Sequence, residues 1–458
     1  MRHFKLLSLL SIPSLALLVG GCGGGNSIGH TTQAITFANP GTQTVGVSLT
    51  LSAEASSDAA VALTSATPDV CTVSGTTATF GTSGTCTINA SQSGNSTYAA
   101  AAQVAQSFTV NAAISPNTTI YIAGYAVSSP PTAANDVAEV WKLTSGSPTA
   151  TATALSLPSG MTSSQANAIA VSGSDVYVAG SASNSTSQVA VLWVNDAATI
   201  LPSGMTISEA GPIAVSGGNV YVTGFEQNTA GSGTAVLWVN GTATTLVPPS
   251  GMAYSSAGTI AVSGSDVYVT GIAWNTDSDE SAVLWVNGAA TLLPAPSGLV
   301  GDYWAGGIAV SGGNVYVSGT TSPDGGNDTA ITWVNGGAVT TLPIPPNDTP
   351  QSYGAGATAV LGNDVYVAGS GVSGATGNST AAYWLNGTAT SLPLPTNTIG
   401  SPATSFAVGI GFSGSDVYMV GSAGQTAAYW VNGGAGTLLP MPSGKAYSYA
   451  SAIAVATQ

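Results

Sequence analysis

Residues 168–205 read AIAVSGSDVYVAGSASNSTSQVAVLWVNDAATILPSGM, and this pattern recurs with variations throughout residues 118–458. Each copy has one tyrosine in a VYV-like segment, and these tyrosines follow one another at intervals of 44 to 56 residues. Each copy also has one tryptophan further on. A repeat of this length with four short strand-like runs is typical of a β-propeller blade. The sequence therefore predicts an all-β fold with a seven-bladed β-propeller over residues 118–458.

Turn residues divide each copy into two hairpins. The runs IAV, VYVAG, AVLWV and ATTL are rich in β-branched and aromatic residues and too short for helices. Asn-Gly joins the last two runs in most copies and supplies the positive φ angles of a tight hairpin turn. We expect the repeated rings to form the cores of the blades. They are Tyr121, Tyr177, Tyr221, Tyr268, Tyr316, Tyr366 and Tyr418, and Trp141, Trp193, Trp238, Trp285, Trp333, Trp384 and Trp430.

The two ends of the repeat region complement each other. The first copy enters directly at its second run, NTTIYIAGY, whereas the chain ends with AIAVATQ at residues 452–458. Residues 452–455 can therefore supply the innermost strand of a blade whose other three strands begin near residue 119. Closing the ring in this way leaves no open blade edge for another chain to pair with.

The amino-terminal segment carries an export signal. Arg2, His3 and Lys5 precede an apolar stretch over residues 6–21, and Cys22 follows it. This pattern is typical of a signal peptide over residues 1–21. The run VGGC at residues 19–22 resembles the lipobox of bacterial lipoproteins, which implies that Cys22 carries the lipid.

The resemblance to lipoproteins also bears on location. Gly23 stands where an aspartate would retain a family member at the inner membrane, so the resemblance implies a cell-envelope protein anchored in the outer membrane. Residues 22–30 are rich in glycine and are predicted to form a flexible tether.

Residues 31–113 are predicted to form a separate small β-sandwich, since their strand-like runs alternate as antiparallel strands do. The segments SATPDVCTVSG and GTCTINASQSGNSTYAAA resemble bacterial immunoglobulin-like domains of surface proteins, which implies a spacer or adhesion module. Cys71 and Cys86 remain after Cys22 is assigned to the lipid. In an exported domain their spacing predicts a disulfide.

Composition excludes several kinds of chemistry. The mature chain has two lysines against 19 carboxylates, a net charge of −17, so no basic surface for nucleic acid exists. The propeller has no histidine, arginine or cysteine. Ser-His-Asp and Cys-His catalysis, histidine-rich metal sites and arginine clamps on phosphate are thereby excluded. A pair of carboxylates is what remains for acid-base chemistry.

Variable loops indicate where a ligand binds. The tight turns of a blade share one face of the propeller, whereas the second-to-third and blade-to-blade connections share the other, and these vary most. A repeated alanine precedes each inner strand, and the residue before it changes class from copy to copy: Gln165, Glu209, Ser256, Trp304, Gly354, Phe406 and Tyr449. We expect this ring to surround the mouth of the central channel. The alternative is that its aromatic residues only fill the channel or pack between neighbouring blades. The ligand-binding candidates are Glu209, Asp302, Tyr303, Trp304, Tyr353, Phe406, Tyr447 and Tyr449.

One loop offers a partial match to a cation site. Asn275, Asp277 and Asp279 present oxygen ligands at alternate positions, as calcium loops do. The glycine and distal glutamate of an EF-hand are missing, so a solvated acidic turn is the alternative. No other cofactor is predicted.

Three functions remain open at this stage. The first is an envelope protein whose propeller binds a glycan, peptide or protein partner, because aromatic rings and carboxylates suit such ligands. The second is a carboxylate-dependent glycoside hydrolase or polysaccharide lyase on the variable face. The third, a scaffold in envelope assembly, follows from a resemblance to a propeller lipoprotein of outer-membrane assembly, although that protein has eight blades of another type. Propellers support all of these functions, so the fold does not choose among them.

Overall fold

The computed structural model describes residues 30–111, 113–114, 116–128, 136–145, 149–298, 301–324, 326–345, 350–373, 378–395, 398 and 404–457. The predicted signal peptide, Cys22 and residues 23–29 of the predicted tether lie outside these residues. The described residues are all-β, which confirms the predicted fold class. Within them, no helix is long and apolar enough to span a membrane.

The amino-terminal unit consists of three sheets around one core. One sheet pairs β1 with β4, one has the order β2-β9-β8-β5, and one has the order β3-β7-β6. The core includes Phe37, Phe80, Ile88 and Phe108. The strands are β1 Ile35–Phe37, β2 Gln43–Thr44, β3 Ser48–Thr50, β4 Ala53–Ala55, β5 Ala62–Ser65, β6 Cys71–Ser74, β7 Thr77–Phe80, β8 Gly84–Ser91 and β9 Val104–Asn111.

The predicted disulfide is confirmed. Cys71 on β6 and Cys86 on β8 are bonded, with their Cα atoms 5.7 Å apart. Both cysteines are fully buried in the core, so the bond joins two of the sheets. Closing a loop of this length contributes roughly 3 kcal/mol to stability on a chain-entropy estimate. The immunoglobulin-like character of this unit stays a prediction.

The rest of the described chain forms four-stranded antiparallel blades, which we number 1 to 7. Blade 1 combines β10, β11 and β12 with the last strand, β37, and blades 2 to 7 each use four consecutive strands from β13 onward. A single parallel pair, Gln188 with Ile207, joins the sheets of blades 2 and 3. The inner strands contact one another in a closed cycle from blade 1 to blade 7 and back. They are β37 Tyr447–Thr457, β13 Ser163–Ser172, β17 Ile207–Ser216, β21 Tyr254–Ser263, β25 Gly301–Ser311, β29 Pro350–Leu361 and β33 Ser405–Ser413.

The other three strands of each blade lie progressively further from the axis. The second strands are β10 Thr118–Val127, β14 Asp175–Ser183, β18 Asn219–Gln227, β22 Asp266–Trp274, β26 Asn314–Pro323, β30 Asp364–Ser373 and β34 Asp416–Ala423. The third strands are β11 Val137–Thr144, β15 Gln188–Val194, β19 Gly233–Val239, β23 Glu280–Val286, β27 Thr329–Val334, β31 Ser379–Leu385 and β35 Thr426–Val431. The outer strands are β12 Thr151–Ala154, β16 Ala197–Ile200, β20 Thr242–Leu246, β24 Ala289–Leu292, β28 Thr340–Thr341, β32 Thr388–Ser391 and β36 Thr437–Leu438.

The repeated tryptophans hold neighbouring blades together. All seven indole rings are fully buried, and each indole N–H donates to a backbone carbonyl of the preceding blade-to-blade connection. Trp141 donates to the Pro440 carbonyl at 3.0 Å, which ties blade 1 to the end of the chain. The antiparallel pairing of β37 with β10 completes the same junction.

The repeated tyrosines differ from the tryptophans. Only Tyr366 and Tyr418 are buried, and the other five are half-buried. The ring follows the tight turn by one or two residues, so its hydroxyl reaches the edge of the blade. Tyr177 Oη, for example, lies 3.4 Å from the Asp175 carboxylate in that turn. The expectation of seven core tyrosines therefore holds for two of them.

Each inner strand has a bulge directly after its repeated alanine. The bulge brings the backbone carbonyl before that alanine against the repeated glycine of the second strand. A Cβ on Gly180 would lie 2.0 Å from the Gln165 carbonyl, and one on Gly224 would lie 2.1 Å from the Glu209 carbonyl. Only glycine fits this close approach, which explains why the VYVAG segment ends in glycine.

Candidate functional site

The tight turns and the variable loops lie on opposite faces of the propeller. In blades 2 to 7 the turn asparagine has a positive φ, and its amide donates to the Asp or Asn that begins the second strand. Asn195 and Asp175 make this contact at 2.8 Å in blade 2. The turn asparagines are thus engaged within their own turns, and the residues that vary between blades lie on the other face.

A buried serine fixes most blade interfaces at the variable end. Ser164 Oγ accepts a hydrogen bond from Ala138 N of blade 1, and Ser208 Oγ accepts one from Ala190 N of blade 2. The same contact recurs at Ser255, Ser405 and Ser448. The serine of each inner strand therefore points to the preceding blade, and the residues on either side of it point to the following blade.

Blade 2 presents small polar side chains towards blade 3. We call this set the polar face of blade 2. Antiparallel pairing places its members opposite one another on one side of the sheet. They are Ser163, Gln165, Ser181, Ser183 and Gln188.

A cavity of about 180 Å³ lies over this polar face. Ser164 and Glu209 complete its lining. The Glu209 carboxylate accepts a hydrogen bond from Asn167 Nδ2 at 3.0 Å and one from Gln188 Nε2 at 3.1 Å. Two amides from blade 2 therefore hold the carboxylate in place, while serine hydroxyls and amides line the rest of the cavity.

Larger side chains occupy the same positions in other blades. Phe225 stands in blade 3 where blade 2 has Ser181, and its ring packs over Gly233, where a Cβ would lie 2.2 Å from a ring atom. Blade 4 has Trp274 in the place of Ser183, packed against Tyr254 with ring centroids 5.8 Å apart. Small residues at these positions therefore leave the space open between blades 2 and 3.

The connection over this space is also short. Ile207 follows the buried Leu201 by six residues, whereas Ser163 follows the buried Leu155 by eight. The connection from blade 2 to blade 3 therefore has two residues fewer with which to cover the variable face.

A tyrosine cluster on blade 1 adjoins the cavity. The rings of Tyr125 and Tyr449 lie 5.2 Å apart on neighbouring strands. Gln165, which lines the cavity, donates a short hydrogen bond to the buried Asp136 carboxylate. Burial raises the pKa of both tyrosines, and the carboxylate of Asp136 adds to the rise. Both phenols therefore keep their protons well above neutral pH.

Blade 1 also buries a carboxyl group. Glu139 on β11 is 3% exposed, and burial raises its pKa to about 7, against the opposing effect of Lys445. Its neighbour Ala138 donates to Ser164 at the rim of the cavity. A carboxyl with such a pKa can hold or release a proton near neutral pH.

Glu226 is the other unusual carboxylate. It lies on the second strand of blade 3, opposite Ser208, and is 5% exposed. Its Oε1 atom is buried with no hydrogen-bond partner. The other blades have Ala126, Ala182, Ala273, Thr321, Gly371 and Ala423 at this position. Glu226 is therefore a costly departure from the repeat.

The structure separates the predicted ligand-binding residues. Of the eight, Glu209 alone lines the cavity, while Tyr449 belongs to the adjoining tyrosine cluster and Tyr447 lies two residues before it. Trp304 is half-buried in blade 5, and Phe406 is 40% exposed in blade 7. Asp302 Oδ1 accepts a hydrogen bond from Glu280 N, and burial together with Asp302 raises the pKa of Glu280. The predicted ring thus spreads over several blade interfaces.

Two of the predicted residues are buried rather than exposed at the mouth. Tyr303 and Tyr353 occupy the position of the repeated serine, so they point back to the preceding blade. Tyr303 Oη donates to the Leu293 carbonyl at 3.1 Å, and Tyr353 packs edge-on against Trp384. They are 8% and 4% exposed and act in packing between blades.

The predicted calcium loop is closed by its own side chains. Asn275 Oδ1 accepts hydrogen bonds from the backbone N–H groups of Asp277 and Asp279, and Asn275 Nδ2 donates to the Asp279 carboxylate. In the part of the chain that the structure describes, no three acidic, histidine or cysteine side chains are grouped as a metal site. An acidic turn accounts for these residues, and calcium binding stays a prediction.

Sequence reasoning missed most of the cavity. Ser181, Ser183 and Gln188 stand in a variable stretch, where small polar residues look like ordinary loop residues. The signal that could have found them is a comparison of the repeats position by position, because blade 2 departs from its neighbours at several paired positions together.

The chain is similar to known proteins only at the level of solved structures. No family model matches this chain, and no curated protein matches it. Among solved structures, an exo-1,5-α-L-arabinanase from a bovine ruminal metagenomic library is 12% identical, with a TM-score of 0.31, over 48% of this chain and 96% of that one. A thermostable family-43 glycoside hydrolase is 9% identical, with a TM-score of 0.32, over 49% of this chain and 92% of that one.

A third similar structure is the acylaminoacyl peptidase of Pyrococcus horikoshii. It is 12% identical, with a TM-score of 0.42, over 72% of this chain and 52% of that one. Scores and identities this low carry no information about substrate or activity.

Proposed function

We propose that this protein is a cell-envelope protein, anchored by a lipid on Cys22, whose propeller binds a neutral glycan on its variable face. The observation that carries the proposal is the cavity between blades 2 and 3. Its lining of serine hydroxyls, glutamine amides and one held carboxylate matches the donors and acceptors of sugar hydroxyls. Its volume is about 180 Å³, which suits a single sugar ring rather than a larger ligand.

Charge favours a neutral ligand. Glu209 makes the cavity acidic, and the chain as a whole carries a net charge of −15, so an anionic ligand would be repelled. The cavity offers little apolar lining, which disfavours an apolar peptide side chain. On this proposal the unit at residues 31–113 is an immunoglobulin-like spacer between the lipid and the propeller.

Binding can be tested by calorimetry on the purified protein with glucose, galactose, mannose, arabinose and xylose and with their di- and trisaccharides. Gln188→Ala removes both a cavity donor and a support of Glu209, and we expect it to weaken binding about tenfold or more. Ser379→Ala changes the same repeat position in blade 6 and should leave the affinity unchanged. The proposal fails if the wild-type protein binds none of these sugars, or if the two variants behave alike.

The anchor is tested separately. Cys22→Ser should release the protein from the membrane fraction, because a covalently attached acyl chain supplies the hydrophobic attachment. A variant that still sediments with membranes after a high-salt wash would contradict the lipid anchor.

Glu139 favours a second candidate, a glycoside hydrolase. A buried carboxyl with a pKa of about 7 suits a general acid. Glu139 lies on the same side of β11 as Trp141 and so faces blade 7, which places the acid of this second candidate at the interface of blades 1 and 7. This enzyme should release reducing sugar from a bound oligosaccharide, and Glu139→Gln should abolish the release while binding survives. Binding with no turnover by the wild-type protein would leave the first proposal and remove the second.

A further inference from the structure

The cavity on blade 2 and the tyrosine cluster on blade 1 are joined by a direct contact. Gln165 projects from the inner strand of blade 2 and lines the cavity. Its amide donates to the carboxylate of Asp136, the residue directly before the third strand of blade 1. Asp136 is 5% exposed. Asp136 stands two residues before Ala138, which pairs with Tyr125, so Asp136 lies on the same side of blade 1 as both rings. Asp136 therefore lies between the rings and the residue that lines the cavity.

The register of blade 1 turns these rings towards blade 2. Ser448 Oγ accepts a hydrogen bond from Ala427 N of blade 7, so Ser448 points back to blade 7. Tyr449 is the next residue and therefore points to the opposite side, towards blade 2. Tyr125 pairs with Tyr449 across β10 and β37 and shares that side. Both rings are half-buried, so part of each ring remains accessible.

A pair of neighbouring aromatic rings near a polar cavity suits two adjacent sugar units. Hydroxyls of one sugar match the serines and amides of the cavity, whereas the C–H face of the next sugar packs on an aromatic face. Blade 1 differs here from blade 6, which has Gly354 and Ser370 in the places of Tyr449 and Tyr125. The Tyr125–Tyr449 pair thus occupies a position that blade 6 leaves without a ring.

We infer that the site takes an oligosaccharide of at least two neutral sugar rings, with one ring in the cavity and the next stacked on Tyr449 and Tyr125. This inference rests on the proposed glycan binding and specifies its ligand. Length, as well as sugar type, then decides affinity, and the tyrosine cluster is a subsite that no monosaccharide uses.

The test compares chain lengths in calorimetry with each sugar of the panel and its disaccharide and trisaccharide. The wild-type protein should bind the disaccharide about tenfold more tightly than the monosaccharide, since the second sugar ring adds a contact with an aromatic face. Tyr449→Ala should remove most of this gain and leave monosaccharide affinity within about twofold. Tyr449→Phe keeps the ring and should retain the gain. Gln188→Ala should weaken binding at every length.

Trp304→Ala is the matched control. Trp304 occupies the same repeat position as Tyr449 and has a larger ring, but it belongs to blade 5. Its loss should leave the length dependence intact.

The outcomes separate the two claims. The inference alone is overturned if a monosaccharide and its disaccharide bind equally well, or if Tyr449→Ala weakens both equally. It is also overturned if Trp304→Ala removes the gain. Failure of the wild-type protein to bind any sugar of the panel would overturn the proposed function itself.

Discussion

Blade 2 and blade 4 have the same architecture, but blade 2 presents small polar side chains to the blade that follows it, whereas blade 4 presents large aromatic ones. Both have the buried tryptophan, the inner-strand bulge and the buried serine that accepts a hydrogen bond from the preceding blade. Where blade 4 packs Trp274 against Tyr254, blade 2 has only Ser183 and Ser163. The repeated residues therefore hold the ring together, and the residues that break the repeat decide what each interface can bind.

The largest expected effect comes from breaking a repeated position. Trp238→Ala removes a fully buried ring and its hydrogen bond to Pro202, and it should lower the free energy of unfolding by about 3–5 kcal/mol. Trp304→Ala removes a half-buried ring that no other blade repeats, and it should cost far less. Urea unfolding of both variants measures the difference. Equal losses would mean that the repeated and the unrepeated tryptophans contribute alike.

A smaller effect of opposite sign is expected at Glu226. Glu226→Ala restores the residue that four other blades have, and it removes a buried oxygen that has no partner. We expect it to raise the free energy of unfolding by about 1–3 kcal/mol. The reverse change at the matched position of blade 2, Ala182→Glu, should lower it. Destabilisation by Glu226→Ala would show that the carboxylate has a partner in solution.

A third prediction concerns the pH dependence of stability at Glu139. Burial raises its pKa from the ordinary 4.5 to about 7, so the folded state favours the protonated form. The stability that this group contributes is present below its unfolded pKa and is lost as pH rises towards about 7.

Glu139→Gln removes this titration. Its free energy of unfolding, relative to that of the wild-type protein, should therefore increase from about pH 4 to about pH 8. Denaturant melts of both proteins across that range provide the measurement. A difference that stays constant with pH would show that Glu139 titrates normally.

The sequence predicted the scaffold well because the scaffold is repeated. Asn240-Gly241 and its counterparts specify the hairpins locally, and Trp238 and its counterparts recur at one place in each copy. The pairing of residues 452–455 with the first copy could be predicted because that copy has no inner strand of its own. In each of these cases several copies carried the same signal.

The site was predicted less well because successive side chains along a strand point to opposite sides of the sheet, so neighbours in sequence face different blades. Tyr303 and Trp304 are neighbours, yet one points back between blades and the other points forward. The sequence grouped both at the channel mouth. Gln188 belongs to the site through pairing with Ser183 and contact with Glu209, and neither relation is visible before the strands are in register.

The central claim is that blade 2, where it departs from the repeat, forms the binding site. A crystal structure of the protein with a disaccharide from the panel tests this claim most directly. The account predicts one sugar ring between blades 2 and 3, within hydrogen-bond distance of Glu209 and Gln188, and the second ring on Tyr449. A disaccharide bound at Trp304, at the Tyr254–Trp274 pair or on the tight-turn face, with the cavity left to water, would contradict it.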